Sequence, residues 1–407
     1  MRRVVVTGMA GISALGHSWP QVLARLKAQR NAVVRMPEFA AYEGLHCQLG
    51  APVTDFEPPA HYTRKLTRSM GRVALMAVRA SELALEDAGL LGDPVIASGR
   101  TGVAYGSSVG STPAIADFGY MLLKRKLGAL NANTYLKMMG HTTAVNVALF
   151  FQVKGRIIPA VSACTSGSQA IGFAYETIKW GLQEVMIAGG AEELCPTEVA
   201  VFDTLYATST RHPPEATPRP FDAERDGLVL GEGACTLILE DRARALARGA
   251  KIYAEVIGFG TNADGAHVTQ PSQPTMQVAM KLALADAGLP PQAIGYISAH
   301  GTGTRHGDVA ESWATYEVYR DRVPISTLKS YTGHTLGACG ALEAWVAIEM
   351  MRSGWFHPNL NLTTLDPECA PLDYIVGEMR RIDCEAAASH NFAFGGINTA
   401  LIFRRHA

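Results

Sequence analysis

Three features of the chain predict an α/β fold. Short runs rich in β-branched residues alternate with Ala-rich stretches of helical periodicity. Two of those stretches end alike, at Asp87-Ala88-Gly89 and Asp286-Ala287-Gly288, with glycine where a helix stops. That likeness hints at two similar halves. The chain is also long enough, at 407 residues with 48% hydrophobic content, to bury a large core.

The elements follow in order. Arg2-Arg3-Val4-Val5-Val6-Thr7-Gly8 begins like a leader peptide, but its apolar run breaks at Thr7 and Gly8, so a strand over Val4–Thr7 and a turn are expected. A helix spans Val73–Ala88. Ile157, Ile158, Pro159 and Ala160 read as a buried strand. A small-residue turn, Val161–Ser168, then leads into a helix over Ser168–Lys179, with Ala170, Ile171, Phe173, Ala174 and Ile178 at helical spacing. Strands are expected at Val185–Ala188 and Thr236–Leu239. Between them, the prolines from Pro213 to Pro220 mark a surface loop. A charged run, Glu240–Arg248, ends at a seam near Gly249-Ala250-Lys251, which divides the chain into halves of 1–250 and 251–407. The second half reads as strand Ile252–Ile257, helix Gln277–Ala287, strand Tyr296–Ser298, helix Val309–Tyr319, strand Ile325–Leu328 and helix Ala338–Met351.

Composition narrows the function. A net charge of −1 gives no field suited to nucleic acid or an anionic membrane. No apolar run reaches membrane-spanning length; Ala144–Val153 is among the longest and contains Asn146 and Gln152. Seven cysteines, an odd number without a CxxC pair, suit free thiols in a reducing compartment. A soluble cytoplasmic protein is expected.

Cys164 stands out among the seven. The strand–turn–helix pattern places its thiol at a helix start, where unpaired N–H groups and the helix dipole favour thiolate. Cys47, Cys195, Cys235, Cys339, Cys369 and Cys384 read as packing residues. Two histidines lie at strand ends in Gly- and Thr-rich settings: His300 in Ala299-His300-Gly301-Thr302-Gly303-Thr304, and His334 in Lys329-Ser330-Tyr331-Thr332-Gly333-His334. The second precedes a helix, whose positive end would keep an imidazole neutral and able to donate a hydrogen bond. A cysteine and two histidines also suit zinc, although no pair has local chelate spacing. Asn391-Phe392-Ala393-Phe394-Gly395-Gly396-Ile397-Asn398 reads either as a loop aiming a backbone N–H at an oxyanion or as a tight hairpin.

Taken together, these motifs resemble the β-ketoacyl-acyl-carrier-protein synthases, the elongating type II enzymes of the thiolase superfamily. Ala163-Cys164-Thr165-Ser166-Gly167 is similar to their nucleophile motif, the two histidine segments to their histidine motifs, and Asn391–Asn398 to their C-terminal glycine loop. Arg219-Pro220-Phe221-Asp222 and Arg225–Ala234 match a further signature, and the likeness runs end to end in family order. The resemblance implies a duplicated α-β-α-β-α five-layer fold, normally dimeric, with two sheets between helix layers. It also implies decarboxylative Claisen condensation: Cys164 accepts an acyl group, His300 and His334 stabilise the enolate of malonyl-acyl carrier protein, and a 3-oxoacyl-carrier protein leaves. The N–H groups of Cys164 and Phe394 would form the oxyanion hole, Phe394 would gate the pocket, and Lys329 and Glu311 would form a supporting Lys–Glu pair. No metal or organic cofactor is implied beyond the phosphopantetheine arm of the substrates. Arg64, Lys65 and Arg68 match a docking patch for an acidic acyl carrier protein; Tyr206 stands where some members carry another docking arginine.

Gly303, Ala393, Ile397, Tyr331 and Thr335 depart from the usual family residues. The segment Lys329–Gly340 is similar to ketosynthases of aryl polyene or polyketide pathways, which often pair with a chain-length-factor subunit. Three alternatives of other kinds remain at this stage: a catalytically silent chain-length partner, a thiolase, and a CoA-primed starter synthase.

Overall fold

A computed structural model describes residues 1–406. Ten strands form one hydrogen-bonded sheet. In chain order they are β1 (Val4–Ser13), β2 (Thr101–Gly106), β3 (Ile157–Pro159), β4 (Val185–Glu192), β5 (Gly233–Asp241), β6 (Ala254–Ala263), β7 (Tyr296–Ser298), β8 (Ile325–Ser326), β9 (Ala386–Ala393) and β10 (Ile397–Arg405). Their spatial order is β8-β7-β9-β10-β6-β1-β5-β4-β2-β3.

The order is a repeated pattern. Counted outward from the centre, the first half runs β1-β5-β4-β2-β3 and the second β6-β10-β9-β7-β8. Each is first-fifth-fourth-second-third in its own chain order. The directions match as well: the two inner pairings are antiparallel and the two outer ones parallel in both halves. Among the described residues the two sheet halves pair strand to strand at Val4–Val256, Val5–Glu255 and Val6–Ala254. The two sheets implied by the resemblance are thus two five-stranded units whose hydrogen bonding is continuous at this short seam.

The helices that matter for the site are α1 (Arg72–Asp87), α2 (Thr112–Lys124), α3 (Thr142–Phe150), α4 (Ser166–Lys179), α5 (Pro196–Asp203), α6 (Gln273–Ala287), α7 (Arg305–Tyr319) and α8 (Cys339–Ser353). Helix α1 ends at Gly89 with φ +65° and α6 at Gly288 with φ +63°, as the twin Asp-Ala-Gly ends predict. Helices α4 and α8 occupy equivalent places, after β3 and β8, and both touch strands of both halves. They form the central layer. This explains why α8 is apolar nearly all round: every residue from Cys339 to Met351 is buried. Outside it lie α1 over β1 and β5, and α6 over β6 and β10.

The strand at Ile157–Pro159 is not buried. It is the sheet edge, with Ile157 exposed, because nothing in the chain lies beyond it. Strands β2, β9 and β10 escaped sequence reading: β2 carries two glycines, and β9 begins Ala-Ala-Ala-Ser, weak strand formers rescued by burial between neighbours. Asn391–Asn398 is a hairpin: Phe392 faces Asn398, Ala393 faces Ile397, and Phe394-Gly395-Gly396 makes the turn with φ +87° and +70° at the glycines.

Candidate active site

Cys164 lies in a short 3₁₀ turn, Ala163–Thr165, just ahead of α4. His334 lies just ahead of the equivalent turn, Leu336–Ala338, before α8. Each turn opens with a non-glycine residue in the left-handed region, Ala163 at φ 49° and Leu336 at φ 43°. This strain turns the chain sharply into the helix in both halves. The duplicated turns bring Cys164 and His334 together, with His334 Nε2 2.9 Å from Cys164 Sγ. His300, at the end of β7, joins them; its ring centroid is 5.2 Å from that of His334 and nearly perpendicular. All three side chains are buried at the base of a cleft of about 460 Å³, walled by Phe202, Phe394 and Tyr206.

The hydrogen bonds fix where the imidazole protons sit. His334 Nδ1 accepts from the Leu336 N–H at 3.2 Å, so its proton is on Nε2. His300 Nδ1 faces two donors, the Lys329 ammonium at 3.1 Å and the Asn391 amide at 3.4 Å, so it too must accept and carry its proton on Nε2. Burial, aided by the Lys329 charge, pushes both imidazoles well below their ordinary pKa. The cleft therefore receives two neutral N–H donors.

Cys164, His300 and His334 present ligand atoms that all lie within 4.8 Å of one another. No two of them are close in sequence, so folding alone makes the cluster. With their Nδ1 atoms facing donors, the two imidazoles present N–H groups to the cleft, which suit an anionic oxygen.

The thiol departs from expectation. Burial pushes Cys164 up to about 12, against the lowering effects of Lys329 and of the N–H groups of Phe394 and Cys164 itself. The resting group is the neutral thiol. A helix start alone does not make a thiolate in so dry a place; the donors around the sulfur stabilise negative charge as it develops during reaction.

Lys329 and Glu311 do not form the expected pair. Lys329 Nζ bonds Glu343 Oε1 at 2.5 Å, with both groups buried, and Asn391 donates to Glu343 Oε2 at 2.7 Å. Burial opposes the Lys329 charge, and the bonded Glu343 carboxylate more than offsets it, so the ammonium persists. Glu311 instead accepts the backbone N–H groups of His300 and Gly301, both at 2.7 Å, and holds the histidine turn. Burial raises its carboxyl to about 8. Glu343 and Asn391 were missed as site residues because α8 looks like core and a single buried glutamate has no spacing signal. The Arg219–Ala234 signature proves to be a brace: Arg225 reaches Asp308 and Asp366, and Asp308 takes the N–H groups of Thr302 and Gly303.

Phe394 stands at the hairpin turn, 5.0 Å from Phe202, whose ring is 6.4 Å from His334. Gly303 sits at φ +80°, and a β-carbon there would meet the Gly227 carbonyl at 3.0 Å, so this backbone does not admit a side chain without strain. Arg64, Lys65 and Arg68 are exposed on and beside the one-turn helix Arg64–Thr67, away from the cleft lining. Tyr206 is 86% exposed at the cleft mouth.

Residues 1–245 match the family Beta-ketoacyl synthase, N-terminal domain, and residues 253–363 the Beta-ketoacyl synthase, C-terminal domain. The chain is 37% identical to 3-oxoacyl-acyl-carrier-protein synthase 1 of Haemophilus influenzae, with all of both chains covered. It is 35% identical to the synthase 1 of Escherichia coli K12, covering all of this chain and 99% of that one. Among solved structures, a β-ketoacyl synthase from Burkholderia phymatum matches over the whole of both chains with TM-score 0.99 and 62% identity. The ishigamide ketosynthase/chain length factor matches over the whole of both chains with TM-score 0.91 and 31% identity.

Proposed function

We infer the work of individual residues from this premise: the chain belongs to the β-ketoacyl synthase family and is a condensing acyltransferase that elongates an acyl chain by decarboxylative Claisen condensation. One observation carries the assignment: the Nε2–H groups of His300 and His334 are directed into the cleft that holds the Cys164 sulfur.

In the first half-reaction Cys164 Sγ attacks the thioester of an acyl-carrier protein. The Sγ–C bond forms, the C–S bond to phosphopantetheine breaks, and the thiol proton leaves on the departing sulfur. The N–H groups of Cys164 and Phe394 hold the oxyanion, and Phe394 swings to admit the chain. In the second, malonyl-carrier protein loses carbon dioxide and its bonding pair becomes an enolate, whose oxygen accepts from His300 and His334. The enolate carbon attacks the Cys164 thioester, the new C–C bond forms, the C–Sγ bond breaks, and one proton restores the thiol. The 3-oxoacyl-carrier protein departs. Lys329, paired with Glu343, keeps His300 neutral and turned correctly; Glu311 fixes its backbone. The chemistry needs no metal or organic cofactor of the protein's own.

The carrier protein docks through Arg64, Lys65 and Arg68, with Tyr206 lending an aromatic contact. The functional unit is a dimer, either of two such chains or with a chain-length-factor-like subunit. The apolar Leu122, Leu123 and Leu127 and the open edge of β3 supply its contact, and the ishigamide relative supports the second arrangement. Specialised polyene or polyketide elongation fits the departures at Gly303 and Tyr331 better than housekeeping fatty-acid synthesis. Seven buried free thiols suit the cytoplasm, and among the described residues no helix is long and apolar enough to cross a membrane. A silent partner subunit would have no use for the Cys164 donor set.

The test is a reconstituted assay with acyl- and malonyl-carrier proteins. Cys164→Ala abolishes condensation but still releases carbon dioxide from malonyl-carrier protein; His300→Ala and His334→Ala lose both. Condensation by Cys164→Ala at the native rate would defeat the reading.

A further inference from the structure

Glu198 is the one acid near the nucleophile with nothing to do. It lies on α5, is 4% exposed, and neither carboxylate oxygen has a hydrogen-bond partner. Its acidic neighbours are both engaged: Glu192 takes the N–H groups of Ser108 and Gly337 at 2.7 and 2.9 Å, and Glu193 those of Thr112 and Val73 at 2.7 and 3.2 Å. Burial, with Glu192 and Cys195 beside it, pushes the Glu198 carboxyl well above the usual range and so favours its protonated, O–H-donating form.

Glu198 is not part of the cleft lining itself but lies one helical turn from a residue that is. Phe202 is four residues on, so the two share one face of α5, about 6 Å apart along the axis. Phe202 lines the cleft and packs on the Phe394 gate. Glu192, next to Glu198, is close enough to Cys164 for its charge to raise the thiol. On the cleft side, Val199, Phe202 and Leu336 belong to the apolar cluster that contains Cys164, while Glu192 and Glu193 lie within reach of its charge. An unpaired acid in such a wall repels a plain alkyl chain and costs the empty fold stability. A ligand that brings an oxygen acceptor relieves both.

We propose that Glu198 is a specificity-determining residue of the acyl chamber, donating a hydrogen bond to an oxygen function, a hydroxyl or a ketone, borne several carbons from the Cys164 thioester. The proposal rests on the reading that Cys164 accepts the acyl group. It makes the preferred primer an oxygenated chain rather than a saturated hydrocarbon one.

Intact-mass spectrometry of the full-length enzyme tests it, with octanoyl-carrier protein competing against its hydroxy- and oxo-substituted counterparts for Cys164. The native enzyme favours an oxygenated chain by roughly tenfold or more, since a site built to hydrogen-bond rejects the analogue lacking the group. Glu198→Leu, or Glu198→Met where leucine packs poorly, removes that preference; Glu198→Gln, which keeps a donor, retains part of it. An equal or opposite preference in the native enzyme overturns the proposal, and so does a preference that survives Glu198→Leu and Glu198→Met. If no acyl group reaches Cys164 from any carrier protein, the acyl-transfer reading itself fails, a result distinct from loss of selectivity.

Discussion

At the residue scale, burial decides the protonation states. Ordinary imidazoles half-titrate near pH 6.5, but His300 and His334 are held well below it. A depressed pKa means the neutral form persists as pH falls through 6.5 and is lost only near the lowered value. Decarboxylation of malonyl-carrier protein by Cys164→Ala should therefore show no histidine limb between about pH 6 and pH 7; a half-point near 6.5 would contradict the geometry. Lys329 and Glu343 depend on each other. Glu343→Gln leaves a buried ammonium without its counter-charge and should destabilise the fold by about 3–5 kcal/mol in denaturant titration. Exchanging both partners for apolar residues of similar volume should cost less stability than the single change, while still abolishing decarboxylation.

At the element scale, the site depends on how closely α4 and α8 approach. Gly167, at the start of α4, makes that approach possible: a β-carbon there would lie 2.9 Å from both the Gly337 carbonyl and the Ala341 nitrogen, atoms of backbone that cannot swing aside. Gly167→Ala should push the two helix starts apart and pull Cys164 from His334. Acylation of Cys164 should slow by about a hundredfold, with helical content kept by circular dichroism. Sequence reading located both helices, since their apolar periodicity and flanking small residues are local signals. It found the strand at Ile157–Pro159 but took it as buried, and it missed β2, β9 and β10. Burial of a strand depends on which neighbours lie beside it, and those neighbours come from distant parts of the chain.

At the scale of the whole molecule, two copies of one topology meet face to face around α4 and α8, and each copy contributes a strained turn to one site. The outer surface carries the complementary consequence. Leu122, Leu123 and Leu127 are 71%, 84% and 73% exposed, an apolar surface that a soluble chain ordinarily covers. The native enzyme should sediment as a two-chain particle, or as one with its partner subunit, and Leu123→Glu with Leu127→Glu should shift it toward the single chain in light scattering. What the sequence determined by itself is the chemistry on offer: a cysteine at a strand-to-helix turn, a histidine at a strand end, another just ahead of a helix (behind the one-turn helix Lys329–Thr332 rather than at the expected strand end), and the glycine turn after Phe394 are all written in local residue order. What only the tertiary structure decided is how those groups are poised. The thiol is neutral rather than ionised, the lysine's partner is Glu343 rather than Glu311, and Glu198 stands unpaired one helical turn from the cleft wall. Charge and pairing depend on water exclusion and on contacts between residues far apart in the chain, and both come into being only when the two halves close.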